Sequence, residues 1–232
     1  MSLKVMPGFI REIFTSIQGE GIRVGQRMSF IRFLGCNLSC NYCDVPECQK
    51  KEGVLVYQKK HYPNPVELSF ILDKIPEKII VLTGGEPLLQ PLFLLDLCNE
   101  LKKMDKLIYL ETNGTLPGAF EMVADKIDII ALDFKIPTAT GRPAMWKKHE
   151  EMLKRAAKKE VFVKIVINEN FIPRELDQVV SIIEKVNDNI PLVIQPVFNR
   201  RIPNLLDIQK KALERLNDVR IIPQVHKYLR LE

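Results

Sequence analysis

The chain has 232 residues, 46% of them hydrophobic, enough to bury one substantial core without disulfides or a partner. Its net charge of +5 is spread over alternating lysines and glutamates, which suits anionic small molecules and does not demand nucleic acid. No apolar stretch reaches the roughly 20 residues that span a bilayer, and no basic segment followed by an apolar run opens the chain, so a cytoplasmic protein without a membrane segment is expected.

Short runs rich in Ile, Val, Leu and Phe predict buried strands over 29–33, 79–82, 107–110, 127–132, 161–167, 192–194 and 219–222. Helical patterns alternate with them over 66–75, 92–104, 143–159, 174–186 and 205–216, with Pro143 and Pro173 near helix starts, where proline is tolerated. Such β-α alternation calls for parallel strands joined by right-handed crossovers. About six core strands are fewer than the eight of a closed barrel, and the chain is shorter than that barrel's typical length of roughly 250 residues. The expected fold is therefore α/β, an incomplete (β/α) barrel forming one domain over residues 1–232. An irregular insertion at about 47–65 is expected from its lysines, Gly53 and two prolines.

Five cysteines is an odd count, and Cys36, Cys40 and Cys43 crowd into one loop directly after the strand at 29–33. Such clustering in a reducing compartment favours a metal site over disulfides. Three thiolates at the C-terminal end of a parallel strand can ligate three irons of a 4Fe-4S cluster and leave one iron open, whereas electron-transfer clusters use four cysteines. The alternative is a zinc site closed by Cys48 as fourth ligand. Cys98 lies within an apolar helical pattern and reads as a small core residue.

A second constellation, Thr83-Gly84-Gly85-Glu86-Pro87, also follows a strand, and its glycines let backbone approach a ligand closely. Alone it is a strand-to-helix turn. Further polar segments end apolar runs or precede them: Ile17-Gln18-Gly19-Glu20-Gly21, Glu111-Thr112-Asn113-Gly114, Asp133-Phe134-Lys135, Gln195-Pro196 and Gln224-Val225-His226-Lys227. Arg32 stands four residues before Cys36 among apolar neighbours, where its guanidinium suits a ligand carboxylate or a carboxylate at the core's edge. His61 and His149 sit in charged or turn-like surroundings and are expected to be solvated, as are the lysines and glutamates between 147 and 160.

The spacing Cys-x3-Cys-x2-Cys, with Gly-Gly-Glu-Pro some forty residues later, resembles the radical S-adenosylmethionine superfamily. In that superfamily the open iron chelates the methionyl amine and carboxylate of S-adenosylmethionine, and reductive cleavage gives a 5′-deoxyadenosyl radical. The order of motifs along nearly the whole chain is similar to the family of 7-carboxy-7-deazaguanine synthases. That resemblance implies ring contraction of 6-carboxy-5,6,7,8-tetrahydropterin to 7-carboxy-7-deazaguanine with loss of ammonia, on the way to queuosine and related deazapurines. It implies S-adenosylmethionine used catalytically, magnesium, an electron donor such as flavodoxin or ferredoxin, and a homodimer.

Residue by residue, the resemblance assigns Cys36, Cys40 and Cys43 to the cluster. It places Tyr42, Asp44, Gly85, Glu86, Asp133, Phe134, Lys135 and Gln195 against S-adenosylmethionine, and Ile17, Gln18, Gly19, Arg32 and Thr83 against the pterin; Glu20 and Glu111 suit either hydrogen bonds from pterin nitrogens or the capping of a turn. The chain departs from the family where a threonine hydroxyl would join the magnesium shell: Val45 offers no side-chain oxygen. It also ends in Tyr228-Leu229-Arg230-Leu231-Glu232 rather than in a proline near the substrate. Two other functions fit parts of the pattern: a glycyl-radical activase acting on a protein, and a non-catalytic module binding zinc or a cluster, which would need Cys48.

Overall fold

The computed structural model describes residues 6–231, so Glu232 at the end of the divergent tail lies outside the described residues. Ten strands form a single open sheet: β1 (Ile10–Ile17), β2 (Arg27–Phe33), β3 (Leu55–Tyr57), β4 (Lys60–Tyr62), β5 (Ile79–Gly84), β6 (Leu107–Thr112), β7 (Ile129–Asp133), β8 (Glu160–Ile167), β9 (Leu192–Pro196) and β10 (Val219–Ile221). Their order is β10-β9-β8-β7-β6-β5-β2-β1-β3-β4. From β10 to β2 every neighbouring pair is parallel, so the parallel core has one short strand beyond the expected six, and it does not close on itself.

The helices are α1 (Leu68–Leu72), α2 (Pro91–Lys103), α3 (Pro117–Glu121), α4 (Pro137–Thr140), α5 (Trp146–Ala156), α6 (Pro173–Val186), α7 (Leu205–Leu213) and α8 (Val225–Leu229). Proline opens α2, α3, α4 and α6, where its missing N–H costs nothing and its fixed φ suits the first turn. α5 begins three residues after Pro143, because the preceding segment is spent on a contact with the cysteine loop. There the Arg142 guanidinium Nε donates to the Ser39 carbonyl at 2.9 Å. No described helix is long and apolar enough to cross a membrane.

Alternation along the strands builds two apolar layers. Ile80, Leu82, Ile108 and Leu110 face the helices, while Phe30, Val81, Tyr109, Ala131 and Phe162 pack together on the inner face. The inner layer forms the floor on which ligands can sit.

Two elements escape simple periodicity. β1 runs antiparallel to β2, and a register shift between Ile10 and Glu12 lets Ile10 and Ile13, three residues apart, both face the core. The 47–65 segment, expected to be irregular, carries the β3–β4 hairpin, whose turn residues Gln58 and Lys59 have φ of 49° and 64° without glycine. This hairpin extends the sheet through β3 beside β1.

Candidate active site

The cysteine loop leaves the C-terminal end of β2 and is pinned from three sides. The Gly35 N–H donates to the Cys48 carbonyl (2.9 Å), Cys36 N–H to Gln49 (3.0 Å) and Asn41 N–H to Thr140 (3.1 Å). Within the loop, Cys43 N–H donates to the Cys40 carbonyl at 3.1 Å and Leu38 N–H to the Cys36 sulfur at 3.4 Å. The Cys36, Cys40 and Cys43 side chains are half-buried and border one cavity. Burial raises the Cys36 thiol and pushes Cys40 up to about 11. Cys48 is fully buried in the following turn, pushed up to about 12, and Cys98 is a core residue as expected.

The loop after β5 rests directly on this one. Gly84 adopts φ +110°, and a Cβ on Gly85 would lie 2.1 Å from the Gly35 carbonyl oxygen, so only glycine lets the two strand-end loops touch. Glu86 points away from the cavity into the protein. Its carboxylate accepts from the Leu88 N–H (3.1 Å), the Asn113 N–H (2.8 Å) and the Thr112 hydroxyl (2.9 Å). Burial outweighs these bonds and pushes Glu86 up to about 7. Asn113 then donates to Asn37 (2.9 Å), and Asn37 to Thr115 (2.8 Å), so the Glu-Thr-Asn-Gly loop braces the cysteine loop.

Buried charges line the cavity opposite the thiols. Lys135 Nζ reaches Asp133 Oδ2 at 2.8 Å and the Tyr42 hydroxyl at 2.9 Å, while Lys164 bridges Asp133 (3.2 Å) and Glu20. Burial works against every one of these charges, yet mutual attraction wins. Asp133 and Glu20 are held below the usual carboxylate range, and Lys135 and Lys164 are raised. Asp133 Oδ1 and Gln195 Oε1 are buried acceptors with no partner among the described residues. Asp133 lines the cavity, and a ligand N–H or O–H that reached Oδ1 would satisfy it.

A second cavity adjoins the first, sharing Glu20, Val45, Thr83 and Glu111 with it. Its walls include Ile17, Gln18, Gly19, Arg32 and Asp44. Glu111 is fixed by the Gln18 amide (2.9 Å) and the Thr83 hydroxyl (2.7 Å), and Gln18 accepts from the Glu20 N–H at 3.0 Å. Arg32 makes a long 3.4 Å contact with Glu12 and lies 5.2 Å from the Phe14 ring, itself stacked on Phe30. Glu86, Phe134 and Gln195 are buried residues outside the linings of these two cavities.

Lys164 is a site residue that sequence reasoning did not nominate, and Gln224 and Lys227 lie in a segment it singled out without giving either a role. Lys164 carried a usable signal, a charge within the apolar run from Val161 to Ile167. His149 corrects an expectation: it is fully buried rather than solvated, stacked on Phe134 at 4.6 Å, with Nε2 3.2 Å from the Asn113 carbonyl. The periodicity of charges on α5 hid it, since its neighbours Lys148 and Glu150 point outward.

Burial pushes His149 down to about 4 from its ordinary 6.5. The unfolded chain therefore binds a proton in this window that the folded chain refuses. The His149 contribution is complete above pH 6.5 and is lost as pH falls toward 4, by roughly 3 kcal/mol. His149→Phe, which keeps the stacking, is expected to remove this slope from the pH dependence of the thermal midpoint. An unchanged slope would contradict the assignment.

Residues 30–186 match the family model of the radical SAM superfamily. The chain is 36% identical to 7-carboxy-7-deazaguanine synthase of Geobacter sulfurreducens, over 95% of this chain and 96% of that protein. It is 34% identical to the enzyme of the same name from Archaeoglobus fulgidus, over 94% and 96%. Among solved structures, that of QueE from Escherichia coli shares the fold with a TM-score of 0.63 at 21% identity, covering 95% of each chain.

Proposed function

Since this chain belongs to the radical S-adenosylmethionine superfamily, and within it to the 7-carboxy-7-deazaguanine synthase family, we propose that it converts 6-carboxy-5,6,7,8-tetrahydropterin to 7-carboxy-7-deazaguanine with loss of ammonia. It is a radical enzyme that uses a 4Fe-4S cluster and S-adenosylmethionine. The residues present suit both groups: three half-buried thiols border one cavity, which Asp133, Lys135 and Lys164 also line with buried charges. When bound, they supply one-electron cleavage of the sulfonium and the hydrogen-atom abstraction that opens the substrate to rearrangement.

The chain's own residues hold and orient. Cys36, Cys40 and Cys43 ligate the cluster and leave one iron free for the cofactor. Gly85 meets the cofactor's methionyl end, Tyr42, Asp133 and Lys135 hold the rest of it, and Asp44 reaches it from the wall of the second cavity. Phe134 and Gln195 support that wall from behind, and Glu86 locks the Gly-Gly turn to the Asn113 loop. In the second cavity Arg32 exchanges its weak contact with Glu12 for two parallel bonds to the pterin carboxylate. Glu20, Glu111 and Thr83, with Gln18, present hydrogen-bonding groups to the heterocycle, and Ile17 and Gly19 close its face.

The observation that carries the substrate assignment is the convergence of Arg32 and the paired carboxylates Glu20 and Glu111 on a cavity that joins the thiol-lined one at Thr83 and Val45. A glycyl-radical activase would have to admit a protein segment there. The electron comes from a one-electron carrier such as flavodoxin or ferredoxin, and the chain works as a homodimer in the cytoplasm. The cofactor-loaded protein should bind 6-carboxytetrahydropterin at least roughly tenfold tighter than the tetrahydropterin lacking the carboxylate. Equal affinities would remove the basis for this substrate.

A further inference from the structure

The family implies magnesium at the substrate, but the residues here do not fit a magnesium shell. Val45 presents methyl groups where an oxygen ligand is expected. Beside it, Glu20, Asp44 and His226 bring potential ligand atoms within 4.8 Å of one another. Both Glu20 oxygens and Oδ2 of Asp44 are already engaged by N–H donors. Asp44 Oδ2 lies 3.0 Å from the Lys227 ammonium and 3.1 Å from the Gln224 amide, and Gln224 also donates to Glu20 Oε1 at 2.8 Å. Lys164 takes the other Glu20 oxygen. A divalent cation bound through Glu20 and Asp44 Oδ2 would have to displace these donors and sit beside the Lys164 and Lys227 ammonium groups.

Resting on the assignment of the second cavity to the pterin, we propose that the Lys227 ammonium, docked on Asp44, is the cation that meets the anionic substrate together with Arg32, so that binding needs no divalent metal. Among the described residues, Arg32 and Lys227 are the arginine and lysine on a wall that also carries Glu12, Glu20, Asp44, Glu47 and Glu111. An ammonium has three donors, and Asp44 occupies one. Phe198 lies 5.7 Å away, with its ring toward the ammonium, and helps hold it in place.

The test measures binding of 6-carboxytetrahydropterin to the cluster-loaded, S-adenosylmethionine-bound protein, in chelator and in millimolar magnesium. Wild-type affinity is expected to agree within about twofold between the two conditions. Lys227→Met should lose roughly tenfold or more while S-adenosylmethionine binding is unchanged, and Lys227→Arg should recover most of it. With the cluster oxidised and diamagnetic, the paramagnetic signal of Mn2+ reports any metal site directly, and wild type should take up none at the cavity. Affinity that rises tenfold or more with magnesium, or Mn2+ uptake abolished by Asp44→Asn, would overturn the proposal. Failure of wild type and variants alike to bind the pterin in either condition would instead overturn the substrate assignment beneath it.

Discussion

Replacing Cys40 with alanine is expected to leave a folded chain that holds no 4Fe-4S cluster and has lost turnover by more than roughly a thousandfold, because without the cluster no electron reaches the cofactor. Cys40 sits in the middle of the pinned loop, with its carbonyl fixed by Cys43 N–H at 3.1 Å and its thiol on the cavity wall. Deleting the thiol leaves two ligands, too few to retain the cluster. Cys48→Ala should retain iron and activity. That thiol is fully buried in the turn after the loop, whereas Cys36, Cys40 and Cys43 are half-buried at the cavity. Iron per chain and the spectrum of the reduced cluster decide the matter. Retention of the cluster in Cys40→Ala, or its loss in Cys48→Ala, would contradict the ligand assignment.

Arg32→Ala should weaken binding of the carboxylated pterin by roughly a hundredfold and leave S-adenosylmethionine binding within about twofold. The guanidinium spends little on the protein itself, a 3.4 Å contact with Glu12 and the face of Phe14, so most of its donors are available to a ligand. Removing it strands a carboxylate in a wall already rich in acidic groups. Arg32→Lys should recover only part of the affinity, since an ammonium cannot make two parallel bonds. Equal loss of both ligands would mean that Arg32 supports the fold rather than the substrate.

Much of this was legible in the sequence, for physical reasons. Fully buried parallel strands read as continuous apolar runs, so β5, β6 and β8 stand out, and residues at their C-terminal ends fall on one rim whatever the details of packing. β1 was opaque because its register shift breaks the two-residue alternation, and β3 and β4 because three-residue strands carry no period. At the site, close motifs announced themselves, while partners joined across the fold did not. The Glu20–Lys164 pair is 144 residues apart and Asp44–Gln224 is 180 apart. His149 was hidden by the charged face of its own helix. Such pairings depend on how the open sheet curls, which local patterns do not encode.

The most direct test of the account is anaerobic turnover by the iron-reconstituted, reduced protein with S-adenosylmethionine and 6-carboxytetrahydropterin, and no second protein, followed by mass. 7-carboxy-7-deazaguanine is expected, with one ammonia released per product. Cleavage of S-adenosylmethionine without that product, in protein carrying a full cluster, would contradict it.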